Sequence, residues 1–286
     1  MERLADRVAW ITGGASGIGL ALAHRLADEK VKLVLVDIEE GALAAAEKAL
    51  RDKGASVLAI RADVSSSDEI TAAAKRARDT YGVVHLIFNN AGVGGGGGPM
   101  WGITEADWQW TFGVNLWGVV HGIRLLLPAL IESGEEGHVI NTASMAGLTA
   151  TPFLGPYTAT KHAVVALSEC LAKELELAKA KVGVSVLCPG FVQTNISSSE
   201  RNRPDNLGPS TKTAGADTFR TVLKNLVDAG KPVAQVADQV IEAIKTNQFY
   251  ILTHPEMKPA IQHRMNQILG EQAPGIDPMM RALFGG

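Results

Sequence analysis

The fold follows from the stretch Arg7-Val8-Ala9-Trp10-Ile11-Thr12-Gly13-Gly14-Ala15-Ser16-Gly17-Ile18-Gly19, which joins a β-rich run to a cluster of glycines. Apolar residues then recur at helical spacing through Leu20, Leu22 and Leu26, so we expect a strand, a glycine loop and a helix in that order. Backbone N–H groups and the positive end of a helix together form a site for a pyrophosphate. A glycine cluster is also typical of a plain tight turn, and the following strand is needed to choose between the two.

That strand, predicted over Val31–Val36, ends at Asp37. An acid at the end of the second strand of a βαβ unit can accept hydrogen bonds from both adenosine ribose hydroxyls and repels a 2′-phosphate. Neither Ala15 nor Ser16 in the loop is basic, so the loop offers a 2′-phosphate no partner. We therefore expect NAD rather than NADP. The alternative is a surface acid that begins the turn into the next helix.

Strands and helices alternate along the rest of the chain. The predicted strands cover 7–12, 31–36, 56–61, 85–88, 137–141, 182–187 and 249–252. The predicted helices begin near residue 17 and cover 38–51, 67–81, two segments of 104–131, 156–177, 233–245 and part of 255–286. Ser67 is the expected N-cap of the third helix. This order predicts an α/β fold with a doubly wound parallel sheet of the Rossmann type, in a single domain over 1–286, with the ligand crevice at the carboxyl ends of the strands.

Three segments interrupt the regular alternation. Gly94–Gly98 is a run of five glycines after a strand end, which we interpret as a mobile loop at a ligand edge, with a tolerated linker as the alternative. The segment 195–231 is polar and too long for an idle loop, so we expect a substrate lid with some helix of its own. The segment 255–286 is expected to form a C-terminal extension of a helix and a tail.

Tyr157 and Lys161 are four residues apart in a predicted helix and would share one face. A nearby cation favours the phenolate and lowers the pKa of a tyrosine, as a base that takes a proton from an alcohol requires. Ser144 follows the strand 137–141 and could hydrogen-bond the same substrate oxygen. Alone, such a Tyr and Lys pair is more typical of an ordinary surface helix.

Composition argues against several kinds of partner. The net charge is −3, which gives no basic surface for nucleic acid or an anionic membrane. Cys170 and Cys188 form neither a disulfide framework nor a metal spacing, so we expect no metal site and a reducing cytoplasmic location. The polar N-terminal start lacks the apolar core of a signal peptide. The most apolar long stretch, Leu116–Ile131, contains a histidine, an arginine and a proline, and we expect a buried helix rather than a membrane span.

The motifs Thr12-Gly13-x-x-x-Gly17-x-Gly19, Asn89-Asn90-Ala91-Gly92, Asn115, Ser144, Tyr157-x-x-x-Lys161 and Pro189-Gly190 occur in this order. Together they resemble the short-chain dehydrogenase/reductase family, in its single-domain form, over about residues 5–255. The resemblance implies that Tyr157 is the catalytic acid/base, that Lys161 lowers its pKa and holds the nicotinamide ribose, and that Ser144 orients the substrate oxygen. It also implies that Asn115 holds a water in a proton relay.

The resemblance implies a bound nicotinamide dinucleotide as well, expected from Asp37 to be NAD. The implied cofactor-binding residues are Gly13, Ser16, Gly17, Ile18, Gly19, Asp37, Ile38, Asp63, Val64, Asn89, Ala91, Gly92, Tyr157, Lys161, Pro189, Gly190, Val192 and Thr194. In the family, helices similar to 113–131 and 156–180 pair across a two-fold axis. We therefore expect a homo-oligomer, a tetramer, with Cys170 unpaired.

The predicted reaction is hydride transfer between a secondary alcohol and the nicotinamide. Alternatives are a carbonyl or 3-oxoacyl-thioester reductase and a non-catalytic NAD-binding regulator. The segments 193–204 and 249–251 resemble the branch that oxidises benzylic alcohols of lignin-type aryl ethers. Apolar residues could wall the site and favour a bulky, uncharged, aryl-bearing small-molecule substrate; plain loop packing is the alternative for them. These residues are Met100, Trp101, Phe153, Leu154 and Phe191.

Overall fold

The computed structural model describes residues 1, 3–210, 216–276 and 281. Seven parallel strands form one sheet in the order β3-β2-β1-β4-β5-β6-β7. The strands are β1 (Val8–Thr12), β2 (Lys32–Asp37), β3 (Val57–Arg61), β4 (Leu86–Asn89), β5 (Gly137–Thr142), β6 (Val182–Cys188) and β7 (Tyr250–Leu252). The chain order reverses between β1 and β4, so the ligand crevice expected of such a sheet lies above the end of β1.

Nine α-helices are described. They are α1 (Gly17–Asp28), α2 (Glu40–Asp52), α3 (Ser67–Tyr81), α4 (Glu105–Phe112), α5 (Gly118–Ser133), α6 (Gly155–Leu177), α7 (Ala216–Asp228), α8 (Val233–Thr246) and α9 (Lys258–Leu269). Short 3₁₀ turns lie at Met100–Gly102, Met145–Gly147, Ile196–Asn202, Asp205–Leu207 and Pro255–Met257. The predicted alternation of strands and helices is confirmed, and the fold is a single-domain Rossmann-type α/β fold.

Side chains of alternate residues in the central strands pack into two apolar layers, one on each face of the sheet. Leu33 and Leu35 of β2 pack with α1, α2 and α8 on one face, whereas Val34 and Val36 pack on the other face with α3, α5 and α6. Burial on both faces explains why these strands are nearly continuous runs of Val, Leu and Ile. Trp10 of β1 is fully buried in the second layer.

Two local predictions need correction. The N-cap of α3 is Ser66 rather than Ser67, because the Ser66 hydroxyl accepts the Glu69 N–H at 3.3 Å. The glycine run is packed rather than a loose edge: a Cβ on Gly95 would lie 2.4 Å from Thr111 Oγ1, and one on Gly96 would lie 2.8 Å from Asp107 Cγ. The missing side chains let the backbone of this run approach α4 closely, so its glycines have a packing role.

One run, Glu105–Ser133, is long and apolar enough by length and composition to cross a membrane. It combines α4, a π-helical turn (Gly113–Trp117) and α5 without a break. Its apolar window is 44% buried, and Leu126 and Leu130 lie in the second apolar layer. The expected helix in the segment 195–231 is present as α7, although residues 211–215 of that segment lie outside the described part of the chain. The same holds for residues 277–280 and 282–286 of the expected C-terminal extension.

Candidate active site

The glycine loop after β1 forms a tight turn that presents backbone N–H groups. Gly13 and Gly17 have φ angles of +63° and +53°, which strain any side-chain-bearing residue. A Cβ on Gly19 would lie 2.1 Å from the Gly13 carbonyl oxygen, so glycine is required there. Ser16 is the N-cap of α1 but makes no side-chain capping bond, and Ile18 is buried beneath the loop. The start of α1 therefore keeps donors for an anionic group.

Asp37 lies at the carboxyl end of β2, beside this loop. Its Oδ2 accepts the Ala15 N–H at 2.9 Å, and its Oδ1 accepts the Glu39 N–H at 3.0 Å. Burial raises the pKa of the carboxyl, and these backbone N–H donors oppose that rise. Asp37 thus couples the second strand to the glycine loop, with Ile38 partly buried between Asp37 and Glu39.

The turn after β3 places Asp63 and Val64 next to the sheet edge. Asp63 Oδ1 accepts both the N–H and the hydroxyl of Ser65, each at 2.8 Å. Val64 is buried against α5, where a Cβ on Gly118 would lie 3.0 Å from Val64 Cγ2. Both the polar and the apolar side chain of the turn are therefore held by neighbouring residues.

Only some of the predicted cofactor-binding residues at the end of β4 and just after it lie against the glycine loop. A Cβ on Gly13 would lie 3.0 Å from Ala91 Cα, so Ala91 sits against the loop, and Gly92 is exposed beside it. The Asn89 side chain, by contrast, donates to Asn141 Oδ1 at 2.9 Å and is buried beneath α5. The Asn89 side chain therefore joins two strands in the core, and contact of Asn89 with the cofactor stays a prediction.

Tyr157 and Lys161 occupy one face of α6, as their spacing predicts. Lys161 Nζ lies 5.5 Å from the centroid of the Tyr157 ring and donates to the Thr142 carbonyl at 2.8 Å. A Cβ on Gly92 would be 3.6 Å from Lys161 Nζ, so the pair faces the segment after β4. Ser144 caps the 3₁₀ turn after β5, where its Oγ accepts the Ala146 N–H at 3.1 Å.

The pKa values of this pair are both shifted chiefly by burial. Burial raises the pKa of Tyr157, and a hydrogen bond with Ser144 partly offsets the rise. Burial also lowers the pKa of Lys161 to about 8. Removal from water outweighs the hydrogen bond and sets the direction of the Tyr157 pKa shift. A lowering of the Tyr157 pKa by Lys161 stays a prediction.

Asn115 lies in the π-helical turn between α4 and α5 rather than at the start of a helix. Its Oδ1 accepts the Val93 N–H at 2.8 Å, and its Nδ2 donates to the Val93 carbonyl at 3.0 Å. Single π turns inside helices often occur at functional sites. Both ends of the amide bind Val93, so the water-holding role of Asn115 stays a prediction.

The turn after β6 returns the chain to the glycine loop. The Pro189 carbonyl accepts the Met145 N–H at 2.8 Å, and the Gly190 N–H donates to His254 Nδ1 at 3.1 Å. Val192 is buried, and a Cβ on Gly17 would lie 3.2 Å from Thr194 Cγ2. A groove of about 710 Å³ between α1 and α8 opens beside Gly17 and Thr194. Tyr157 does not line this groove, so the reacting side chains lie outside it.

Within the described residues, no three His, Cys, Asp or Glu side chains come together as metal ligands. The site consists of a glycine loop, an acid at the end of β2, and a partly buried Tyr157 and a buried Lys161 beside a serine.

Comparison with known proteins agrees with this arrangement. Residues 7–205 match the family model described as short chain dehydrogenase. The CLA biosynthesis dehydrogenase/reductase of Lactiplantibacillus plantarum is 36% identical, over 98% of this chain and 99% of its own length. The chain belongs to the short-chain dehydrogenase family. This short-chain dehydrogenase is accordingly an oxidoreductase, as the motifs indicate.

Two further proteins are informative about this short-chain dehydrogenase. A short chain dehydrogenase/reductase from Burkholderia phymatum, solved in complex with NAD, is 43% identical with a TM-score of 0.94, over 97% of this chain and 99% of its own. The C alpha-dehydrogenase of a Sphingobium species is 29% identical, over 96% of this chain and 89% of its length.

Sequence reasoning missed several residues of the short-chain dehydrogenase site. Thr142 provides the carbonyl that binds Lys161. The Glu39 carboxylate accepts a hydrogen bond from Arg201, which lies 162 residues later in the sequence. Ser199 Oγ accepts the Gly94 N–H at 2.9 Å. No spacing rule connects positions so far apart, so only the polarity of the segment 195–231 hinted at these contacts.

Proposed function

We propose that this short-chain dehydrogenase is an NAD-dependent enzyme that transfers a hydride between a bulky, uncharged secondary alcohol and the nicotinamide. The observation that carries the proposal is the partly buried Tyr157 with the buried Lys161 beside Ser144, facing the segment that follows β4. A partly buried phenol beside an ammonium and a hydroxyl suits proton exchange with an alcohol.

The residues of the cleft fit a dinucleotide. The tight Gly13–Gly19 turn and the free donors at the start of α1 suit a pyrophosphate. Asp37 offers a carboxylate at the strand end where a ribose is expected and would repel a 2′-phosphate. The complex of the Burkholderia phymatum relative with NAD supports the same cofactor. We assign cofactor contact to the remaining predicted residues of the glycine loop, the Asp63 turn, the Ala91 and Gly92 backbone, and the Pro189 to Thr194 segment.

When bound, NAD supplies the acceptor for the hydride that leaves the alcohol carbon. Tyr157 takes the hydroxyl proton as general base, and returns it as general acid in the reverse direction. Ser144 holds the reacting oxygen next to the phenol. Lys161 stabilises the phenolate and holds the ribose, and Asn115 is assigned to the proton path to solvent.

The substrate class follows from the entrance to this site. The Gly98 N–H donates to the Phe153 carbonyl at 2.9 Å, so the loops 93–102 and 146–156 meet. A Cβ on Gly155 would lie 3.1 Å from Met100 Cε, and Trp101 is 92% exposed. Neither loop contains a charged residue, so a carboxylate buried here would be left unpaired. These apolar and aromatic side chains favour an aryl-bearing alcohol, and the likeness to a C alpha-dehydrogenase supports that choice.

We further propose that the segment 195–231 is a substrate lid, that the chain assembles as a homotetramer, and that it works in the cytoplasm, where Cys170 and Cys188 stay unpaired.

The proposal is tested by measuring kcat/KM for alcohol oxidation from the absorbance of the reduced cofactor. The substrates are 1-phenyl-substituted carbinols, 3-hydroxybutyrate and a sugar alcohol, each with NAD and with NADP at equal concentration. We expect the phenyl carbinols and NAD to be preferred. A preference for 3-hydroxybutyrate or the sugar alcohol would overturn the substrate class, and faster turnover with NADP would overturn the assignment of Asp37.

A further inference from the structure

The chain that leaves β6 crosses the carboxyl edge of the sheet. We name residues 194–203 the strap. Its start touches the glycine loop, because a Cβ on Gly17 would lie 3.2 Å from Thr194 Cγ2. Further along, Ser199 Oγ accepts the Gly94 N–H after β4. Since β2, β1, β4, β5 and β6 follow one another in the sheet, the strap runs from the end of β6 back toward the end of β2.

At the end of β2 the strap is held by a fork of charged hydrogen bonds. Arg201 donates from Nη2 to Glu39 Oε1 at 2.5 Å and from Nε to Oε2 at 3.2 Å. Asn202 Nδ2 donates to the same Oε1 at 2.9 Å. The pKa of the Glu39 carboxyl is lowered chiefly by its hydrogen bond to Arg201. Two-point contact between a guanidinium and a carboxylate is the geometry that makes such pairs strong and directional.

The Arg201 guanidinium also holds the strap in shape. Its Nη1 donates to the Asn195 carbonyl at 3.2 Å and to the Ser198 carbonyl at 2.8 Å. Loss of this side chain would free both the turn and its contact with Glu39. Arg203 anchors the far side, where it forms a buried ion pair with Asp107 and lies over the Trp110 ring. The strap therefore has a fixed end at α4 and a half-exposed, breakable contact at Glu39.

The Arg201–Glu39 contact lies beside the expected adenosine end of the cofactor site. Its backbone N–H donates to Asp37 Oδ1 at 3.0 Å, and Asp37 is the residue assigned to the adenosine ribose. The glycine loop lies after β1, between the two strands that the strap connects. A dinucleotide on the loop would thus lie beneath a strap fastened at its adenosine end.

We propose that the Arg201–Glu39 pair is a latch that holds the strap across the cofactor cleft and limits the rate at which the dinucleotide dissociates. The inference rests on the proposed function, since it requires that the cleft binds NAD or NADH. Both residues are positioning residues: they hold the strap and take no part in the chemistry. Breaking the latch shifts the strap toward its open form, so dissociation should accelerate with the free energy that the pair contributes.

The experiment measures NADH dissociation by stopped flow, following energy transfer from tryptophan to bound NADH while excess NAD displaces it. Arg201→Gln, Glu39→Gln and the double variant are compared with the parent. We expect each single variant to release NADH roughly tenfold faster, in line with a charge-assisted fork. The effects of the two substitutions should be less than additive in the double variant, because both remove the shared Arg201–Glu39 contact.

Lys224→Gln is the matched control. It removes a cation from α7, in the same segment, where Lys224 pairs with Asp228 of its own helix. This control should release NADH at the parental rate. Thermal unfolding of every variant, followed by far-ultraviolet circular dichroism, identifies any variant whose fold has changed. Because Glu39 lies outside residues 194–203, the Glu39→Gln variant breaks the same ion pair without changing the sequence of the strap.

The outcomes separate the latch from the proposed function. If the parent binds NADH but Arg201→Gln and Glu39→Gln release it at the parental rate, the latch is overturned and the proposed function stands. If calorimetry detects no NADH binding to the parent, the proposed function fails and the latch fails with it. Faster release in Lys224→Gln, equal to that in Arg201→Gln, would assign the effect to general charge and overturn the latch.

Discussion

Lys161 and Tyr157 show how strongly burial acts on single side chains of this protein. The pKa of Lys161 is lowered to about 8 and that of Tyr157 is raised, in each case chiefly by burial. The spacing of the two residues predicts their contact, but burial depends on the β5 and β6 ends packed around them and was not predictable from the sequence.

His138 provides a residue-scale prediction about stability. It is buried in β5, with Nε2 2.8 Å from Ser185 Oγ, and burial lowers its pKa to about 4. In the unfolded chain a histidine titrates near 6.5, so the unfolded state binds the proton first as pH falls. The stabilisation by neutral His138 is complete above about pH 6.5 and is lost as the pH falls toward about 4.

We expect the free energy of unfolding to fall by about 2 kcal/mol through His138 alone between about pH 7.5 and about pH 4.5. Urea titrations of the parent and of His138→Gln at both pH values measure this. The variant should be less stable at the higher pH and show a shallower pH dependence. Parallel pH dependences in the two proteins would contradict the assignment.

At the scale of elements, the glycine run and α4 form one packed unit. Thr111 Oγ1 donates to the Asp107 carbonyl at 2.7 Å, directly under Gly95. Asp107 caps α4 together with Thr104 and also pairs with Arg203 of the strap. The sequence predicts α4 but not this unit, because a run of glycines carries no side-chain pattern and its neighbours come from distant segments.

Gly95→Ala should therefore destabilise the protein. The new Cβ would lie 2.4 Å from Thr111 Oγ1, at a φ of +69° that alanine rarely adopts. Strain and overpacking of this kind cost about 1–3 kcal/mol. Gly41→Ala is the matched control, since a Cβ there meets nothing within 4 Å in α2 and alanine favours a helix. Thermal melts of the two variants test the prediction; equal melting temperatures would show that the glycine run is loosely packed.

The π-helical turn between α4 and α5 is a second local structure that could not be predicted from the sequence. Two helices with Asn115 near the start of the second are predicted, whereas α4 and α5 are continuous through the turn that holds Asn115. The cause is tertiary: Val93 after β4 binds both ends of the Asn115 amide. The turn keeps this buried side chain satisfied.

For the whole molecule, the predicted sheet is confirmed because most strands are dominated by apolar residues and at least one helix lies in each connection. The seven strands, the glycine loop and Asp37 are local patterns, so the sequence specifies them directly. The contacts of Ser199 with Gly94 and of Arg201 with Glu39 join chain segments more than a hundred residues apart and became visible only in the folded molecule.

The outer surfaces of α5 and α6 lead to a prediction about assembly. A shallow groove of about 180 Å³ between them is lined mainly by apolar side chains, including Val120, Ile123, Leu167 and Leu171. Leu177 at the end of α6 is 85% exposed. We expect light scattering at micromolar protein to give the mass of a tetramer, and Leu167→Glu to lower that mass, because a buried charge in an apolar interface is costly. A monomer mass for the parent would refute the assembly.

The central claim is that Tyr157 exchanges the proton of the alcohol while NAD binds in the cleft. The most direct test is the turnover of Tyr157→Phe with NAD and a 1-phenyl carbinol, together with its NADH affinity by calorimetry. We predict that turnover falls by at least about a hundredfold, the scale expected for a positioned acid/base, and that NADH affinity changes little. Turnover of the variant at the parental level would contradict the account.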